Sequence, residues 1–162
     1  MAIPCVDDHL MTSYLNDPAV KKALHIRAES PERWEVCSDE VNKDYIRTYQ
    51  DLTAEYSALV SAEKRVLLYN GDVDMACNFM GDEWFVDSLG FKLTEKRRSW
   101  LYLEQDGSKQ IGGYVKRFVD MEKPQNTSLT FVTIRGSGHM APTDKPLSTY
   151  RMYQSFILNT DL

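Results

Sequence analysis

The 162 residues contain no apolar run approaching the roughly 18 to 20 residues of a membrane span. No basic start followed by an apolar stretch marks a signal peptide either. Cationic charge is scarce: 19 Lys and Arg stand against 24 Asp and Glu, a net charge of −5. Nucleic acid and anionic membrane surfaces demand clustered Lys and Arg, and the one basic cluster, Lys96-Arg97-Arg98, is too short to meet that demand. Neither nucleic acid nor membrane is an expected partner. Cysteine is confined to Cys5, Cys37 and Cys77, no two of them two to four residues apart. That removes the common zinc spacings, and neither a metal nor a cofactor is expected. Repeats and low-complexity tracts are absent as well. What is present, 43% apolar and 27% charged residues, is an ordinary globular composition in a chain long enough to enclose a core.

The odd cysteine count leaves two readings open: three reduced thiols in a cytosolic protein, or pairing with cysteines of another chain. The sequon at Asn126-Thr127-Ser128 permits glycosylation if the chain is secreted. Along the chain, Asp17-Pro18 opens a helix, with Asp as cap and Pro at the first helical position. From Val41 onward, Val41, Tyr45, Tyr49, Leu52, Tyr56 and Leu59 recur at steps of four and three, predicting one helix of about five turns. The period then shortens. Arg65 to Tyr69 reads as a buried strand ending at the turn Asn70-Gly71-Asp72. Asn78 to Leu89 forms a helix, and Ser99–Leu103 and Gln110–Phe118 are strands joined through Asp106-Gly107. A polar loop, Glu122 to Ser128, precedes a strand from Leu129 to Ile134, and Pro146 opens the last helix. This order of elements is that of part of an open α/β sheet covered by helices.

Two segments place chemistry-bearing side chains just beyond predicted strands, where open α/β sheets build their sites. They are Gly71-Asp72-Val73-Asp74-Met75-Ala76-Cys77-Asn78 and Arg135-Gly136-Ser137-Gly138-His139-Met140-Ala141-Pro142. A carboxylate followed by a histidine is two thirds of an α/β-hydrolase triad, which runs Ser, acid, His. The histidine removes the serine proton during attack, and a buried acid fixes the tautomer and stabilises the imidazolium. Spacing alone leaves the choice between Asp72 and Asp74 open. The nucleophile is missing: no Gly-x-Ser-x-Gly occurs, and Ser137, directly after Gly136, is read as a turn residue. His9 and His25 have no catalytic company, and Glu83 with Asp87 one turn later reads as a solvated helix face. Pairing Cys77 with His139 as a cysteine protease is disfavoured by the triad-like acid just before the thiol.

The residues also carry a resemblance. The run from Leu67 through Asn70-Gly71-Asp72-Val73-Asp74-Met75-Ala76-Cys77-Asn78 to Leu89 is similar to the serine carboxypeptidases. So are Gly138-His139-Met140-Ala141-Pro142-Thr143-Asp144-Lys145-Pro146-Leu147, Tyr14-Leu15-Asn16 and Val20-Lys21-Lys22-Ala23-Leu24. The resemblance implies a C-terminal part of an α/β-hydrolase fold, an open and mostly parallel sheet covered by helices. In that frame residues 1–162 are one portion of a single domain, with 1–40 the end of a cap and connecting segment and 41–162 the last strands and helices. It implies further that Asp74 is the triad acid, Asp72 a turn carboxylate and His139 the base. Met140 and Cys77, an unpaired thiol, would border the substrate. Cys5 and Cys37 would bridge to a larger N-terminal chain that carries the serine, and Asn126 would be glycosylated. The implied activity is release of C-terminal residues from peptides in a lysosome, a vacuole or outside the cell, without cofactor; a homodimer is also allowed. The alternatives are a noncatalytic, partner-binding chain, or a related esterase or lyase on the same fold.

Overall fold

Helix signals in the first fifty residues produce three short helices among the described residues. The computed structural model describes residues 8–27, 29–30, 33–123 and 128–162, which divide into two units, 1–50 and 51–162. In the first unit α1 (His9–Asn16) is followed by α2 (Pro18–Ala23). The carboxylate of Asp17 accepts the N–H groups of Ala19 (2.7 Å) and Val20 (3.3 Å), the expected cap. Asn16 ties this pair to a distant stretch: its Oδ1 accepts the N–H of Trp34 (2.7 Å) and its Nδ2 donates to the Trp34 carbonyl (2.9 Å). Ser38 caps α3 (Asp39–Asp44) through the Val41 N–H.

The single helix expected from Val41 to Leu59 is interrupted. α3 stops where Tyr45 turns extended, and α4 (Thr53–Ser61) begins afresh. At the restart, the Asp51 carboxylate accepts both the hydroxyl (2.7 Å) and the N–H (3.0 Å) of Thr53. Such local bonds compete with helix continuation, and the Thr53 hydroxyl chiefly holds the Asp51 carboxyl below the usual carboxylate range.

The second unit is built on four strands: β1 (Arg65–Gly71), β2 (Lys92–Leu103), β3 (Lys109–Val119) and β4 (Ser128–Ile134). Their spatial order is β1-β4-β3-β2. β1 and β4 are parallel, whereas β4–β3 and β3–β2 are antiparallel. Within this chain the sheet is therefore mixed, not mostly parallel. The reason lies in the connections. Asp106 accepts the Ser108 N–H (2.9 Å) and Gly107 takes a φ of +83°, a tight hairpin that can only join antiparallel neighbours. β2 also starts at Lys92, ahead of the apolar stretch that announces it, because its pairing with β3 runs on through Lys92–Val119, Leu93–Phe118 and Glu95–Arg117, with an Arg117–Glu95 ion pair (2.7 Å) beside it.

Strand alternation fills both faces of the sheet. Leu129 and Phe131 of β4, with Phe118 of β3, meet Val60 of α4 and Val86 of α5 (Phe79–Ser88). Val132 and Ile134, with Val115 and Trp100, meet Ala141 of α6 (Ala141–Asp144) and Met152 of α7 (Pro146–Leu158). The unit is thus a three-layer α/β arrangement. Trp100 lies against Gly112, where a Cβ would come within 2.2 Å of the indole.

Candidate active site

Gly71 at the end of β1 stands opposite Ile134 at the end of β4, so the loops after both strands leave the same edge side by side. Pairing continues past the strands: the Asp72 N–H donates to the Ile134 carbonyl and the Val73 N–H to the Ser137 carbonyl, both at 3.1 Å. This approach requires glycine at position 71. A Cβ there would sit 2.1 Å from the Ser137 carbonyl oxygen and 2.4 Å from that of Gly138.

Three residues beyond Gly71, Asp74 folds back over its own loop. Its Oδ1 accepts the N–H groups of Ala76 (2.8 Å) and Cys77 (3.2 Å). Its Oδ2 faces His139 Nδ1 at 2.9 Å. The hydrogen bond from His139 chiefly, with those from Cys77 and Ala76, holds the Asp74 carboxyl below the usual carboxylate range despite the opposing effect of burial. An ionised carboxylate only accepts, so Nδ1 donates, and a neutral ring keeps its lone pair on Nε2. The Asp74 side chain is 6% exposed and that of His139 is 63% exposed. The acid is shielded and the base is open.

The surrounding bonds hold backbone. Asp72 Oδ1 accepts the Gly136 N–H at 2.6 Å, so of the two carboxylates left open by spacing it is Asp74 that meets the imidazole. Asp144 Oδ2 accepts the Gly138 N–H at 2.8 Å, and Asn70 Nδ2 donates to the Cys77 carbonyl at 3.1 Å. Asn78 caps α5 through the Gly81 N–H (3.0 Å). Ser137 is fully buried and its hydroxyl donates to the Gly138 carbonyl (3.1 Å), as befits a turn residue. Sequence reasoning did not single out Asp144 or Asn70. Side-chain bonds to backbone follow no period, and only the turn signal Asn70-Gly71-Asp72 hinted at them.

Cys77 is an exposed free thiol, and one donor atom each from Asp74, Cys77 and His139 lies within 4.8 Å of the others. That trio has metal-binding donor types, but Asp74 Oδ2 and His139 Nδ1 already engage one another. Met140, next to the imidazole, is 57% exposed. Cys37 is an exposed free thiol of the first unit, away in sequence from both loops. Cys5 and Asn126 lie outside the described residues.

Comparison with known proteins turns this geometry into a family assignment. The family model described as serine carboxypeptidase matches residues 1–159. The chain belongs to the serine carboxypeptidase family. Mouse lysosomal protective protein is 48% identical over 155 residues, covering 95% of this chain and 31% of that protein. A serine carboxypeptidase of Caenorhabditis elegans is 35% identical over 161 residues, covering 97% and 32%. A serine carboxypeptidase-like protein of Arabidopsis thaliana is 33% identical over 158 residues, covering 97% and 29%. The chain thus spans about a third of the length of the curated relatives it matches. The mixed α/β unit, with helices on both faces of one sheet, is consistent with the α/β-hydrolase fold of this serine carboxypeptidase family.

Proposed function

We propose that this chain supplies the acid and the base of a serine-type carboxypeptidase that releases C-terminal amino acids from peptides. The nucleophilic serine would reside on a further, larger N-terminal portion. The observation that carries the reading is the 2.9 Å contact of Asp74 Oδ2 with His139 Nδ1 beside an open ring. Nε2 takes the serine proton as the hydroxyl attacks the scissile carbonyl and later returns it to the leaving amine. Asp74 holds the tautomer and stabilises the imidazolium. The four strands would be one end of a larger, mostly parallel sheet, and residues 1–162 one portion of a single domain. Cys77 and Met140 border the base and would contact the peptide. Cys5 and Cys37 would bridge to the N-terminal portion, and Asn126 would carry glycan.

A lysosomal, vacuolar or secreted location belongs to the same reading, and the likeness to lysosomal protective protein supports it. Because the Asp74 carboxyl lies below the ordinary value of 3.8, the pair with His139 keeps its ionised acid above that value and loses it only as pH falls through the depressed one. The test combines the chain with its serine-bearing partner. A fluorophosphonate should label the partner only in the presence of this chain. The Asp74→Asn variant should lower kcat/KM for a blocked dipeptide by about 10,000-fold. Labelling and turnover indifferent to Asp74 and His139 would leave a noncatalytic, partner-binding chain instead.

A further inference from the structure

We propose that Asp72 and Asp144 are positioning residues that clamp, from its two ends, the turn presenting His139. The inference rests on the reading of His139 as general base and adds to it the groups that set its place. The turn Gly136-Ser137-Gly138 has few bonds of its own: the Ser137 hydroxyl reaches the Gly138 carbonyl (3.1 Å) and the Val73 N–H reaches the Ser137 carbonyl (3.1 Å). Gly136 takes a φ of +69°, and the internal bond from the Ser137 N–H to the Ile134 carbonyl is a long 3.4 Å. Two glycines contribute no side chains to pack. Each instead gives its N–H to a carboxylate: Gly136 to Asp72 Oδ1 at 2.6 Å and Gly138 to Asp144 Oδ2 at 2.8 Å. Bonds to an ionised acceptor are shorter and about twice as strong as neutral ones.

The two anchors come from different places. Asp72 lies in the loop that carries Asp74, two residues ahead of it, so the same loop holds the imidazole by Asp74 and the imidazole's turn by Asp72. Asp144 ends α6, five residues after His139, and closes the segment from the other side. The imidazole is thereby fixed relative to both its acid and its following helix. These carboxylates bond to backbone N–H groups, so they act on the reaction through the turn. The consequence is geometric: Asn at either position still offers an oxygen acceptor, whereas Ala offers none.

In the assembled enzyme, Asp144→Ala and Asp72→Ala should each lower kcat about 10- to 100-fold, the effect of displacing a catalytic group by up to an ångström. KM should stay within about twofold, since uniform binding is untouched. Asp144→Asn and Asp72→Asn should remain within about fivefold of wild type because the accepted hydrogen bond survives. Loss in the double alanine variant should fall short of the product of the single losses, as both residues hold one turn. The downfield proton NMR resonance of His139 Nδ1–H gives a readout independent of the serine. It should be sharp in wild type and the Asn variants and broadened in the Ala variants. A wild-type resonance without peptidase activity would defeat the functional reading, and the resonances of the variants would then decide the clamp alone. Unchanged kcat and resonance in the Ala variants, or equal losses in Ala and Asn variants, would overturn the clamp.

Discussion

The two units use similar residues to different ends. In residues 51–162, Val60, Val86, Trp100, Val115, Leu129, Val132, Ile134 and Met152 are hidden on the two faces of the sheet. In the described part of residues 1–50 no side chain reaches that state, and Leu10, Tyr14, Leu24, Val41, Tyr45, Ile46 and Tyr49 are exposed. Helical period does not by itself produce burial; a stripe needs a surface to lie on. The loops that carry Asp74 and His139 spring from the unit that has that surface, and their separation of 65 residues is closed by one parallel strand pair.

The widest contrast should come from chemistry. His139→Ala should reduce kcat/KM of the assembled enzyme by about a million-fold, whereas His25→Ala, in the first unit, should leave it within about twofold. Steady-state kinetics on both variants checks this; a comparable loss in His25→Ala would erase the distinction. Stability should follow next. Leu129→Ala should cost about 2 to 5 kcal/mol in denaturant unfolding, while Leu10→Ala, 79% exposed, should change it by no more than about 0.5 kcal/mol. A smaller effect is expected from Asp17→Ala, about 1 kcal/mol of lost capping, seen as faster amide exchange in α2 and not in β4. The smallest concerns Tyr102. Its hydrogen bond to Glu104, aided by burial, pushes the phenol up to about 12. Stability from that bond should be complete below pH 10 and lost as pH rises through about 12, which ultraviolet titration alongside unfolding will read.

Much of the second unit was legible before any coordinates. β1, β3 and β4 stand where apolar runs met turn residues, and Asp17-Pro18 and Asn78 begin helices through side-chain chemistry that is local and therefore visible. The stripe from Val41 to Leu59 misled because period is blind to a break such as the one where Tyr45 turns extended and a new helix starts at Thr53. The polar half of β2 was hidden because backbone pairing with β3 and one ion pair, Arg117–Glu95, extend it without apolar alternation. The mixed sheet was missed because periodicity says which residues form strands and not which strands pair. In the site, the loop with Asp72 and Asp74 and the histidine His139 stood out by residue type at strand ends; only the resemblance chose between the two carboxylates, and it is Asp74 that faces the imidazole. The roles of Asp144 and Asn70 were not legible, Asn70 showing only as part of a turn signal, since a carboxylate or amide serving a distant backbone group leaves no spacing to detect.

Trp100 carries a practical consequence. Its indole is 1% exposed and donates Nε1–H to the Thr133 carbonyl at 3.1 Å, so it joins the hairpin to the central strand through a fixed polar contact. Trp84, by contrast, is 65% exposed. With Trp34 half-buried, the emission of the native protein should therefore contain a blue component from Trp100 that acrylamide does not quench and redder emission from Trp84 and Trp34 that it does. Loosening of the sheet can then be followed optically, without a label, as the first component merges into the second.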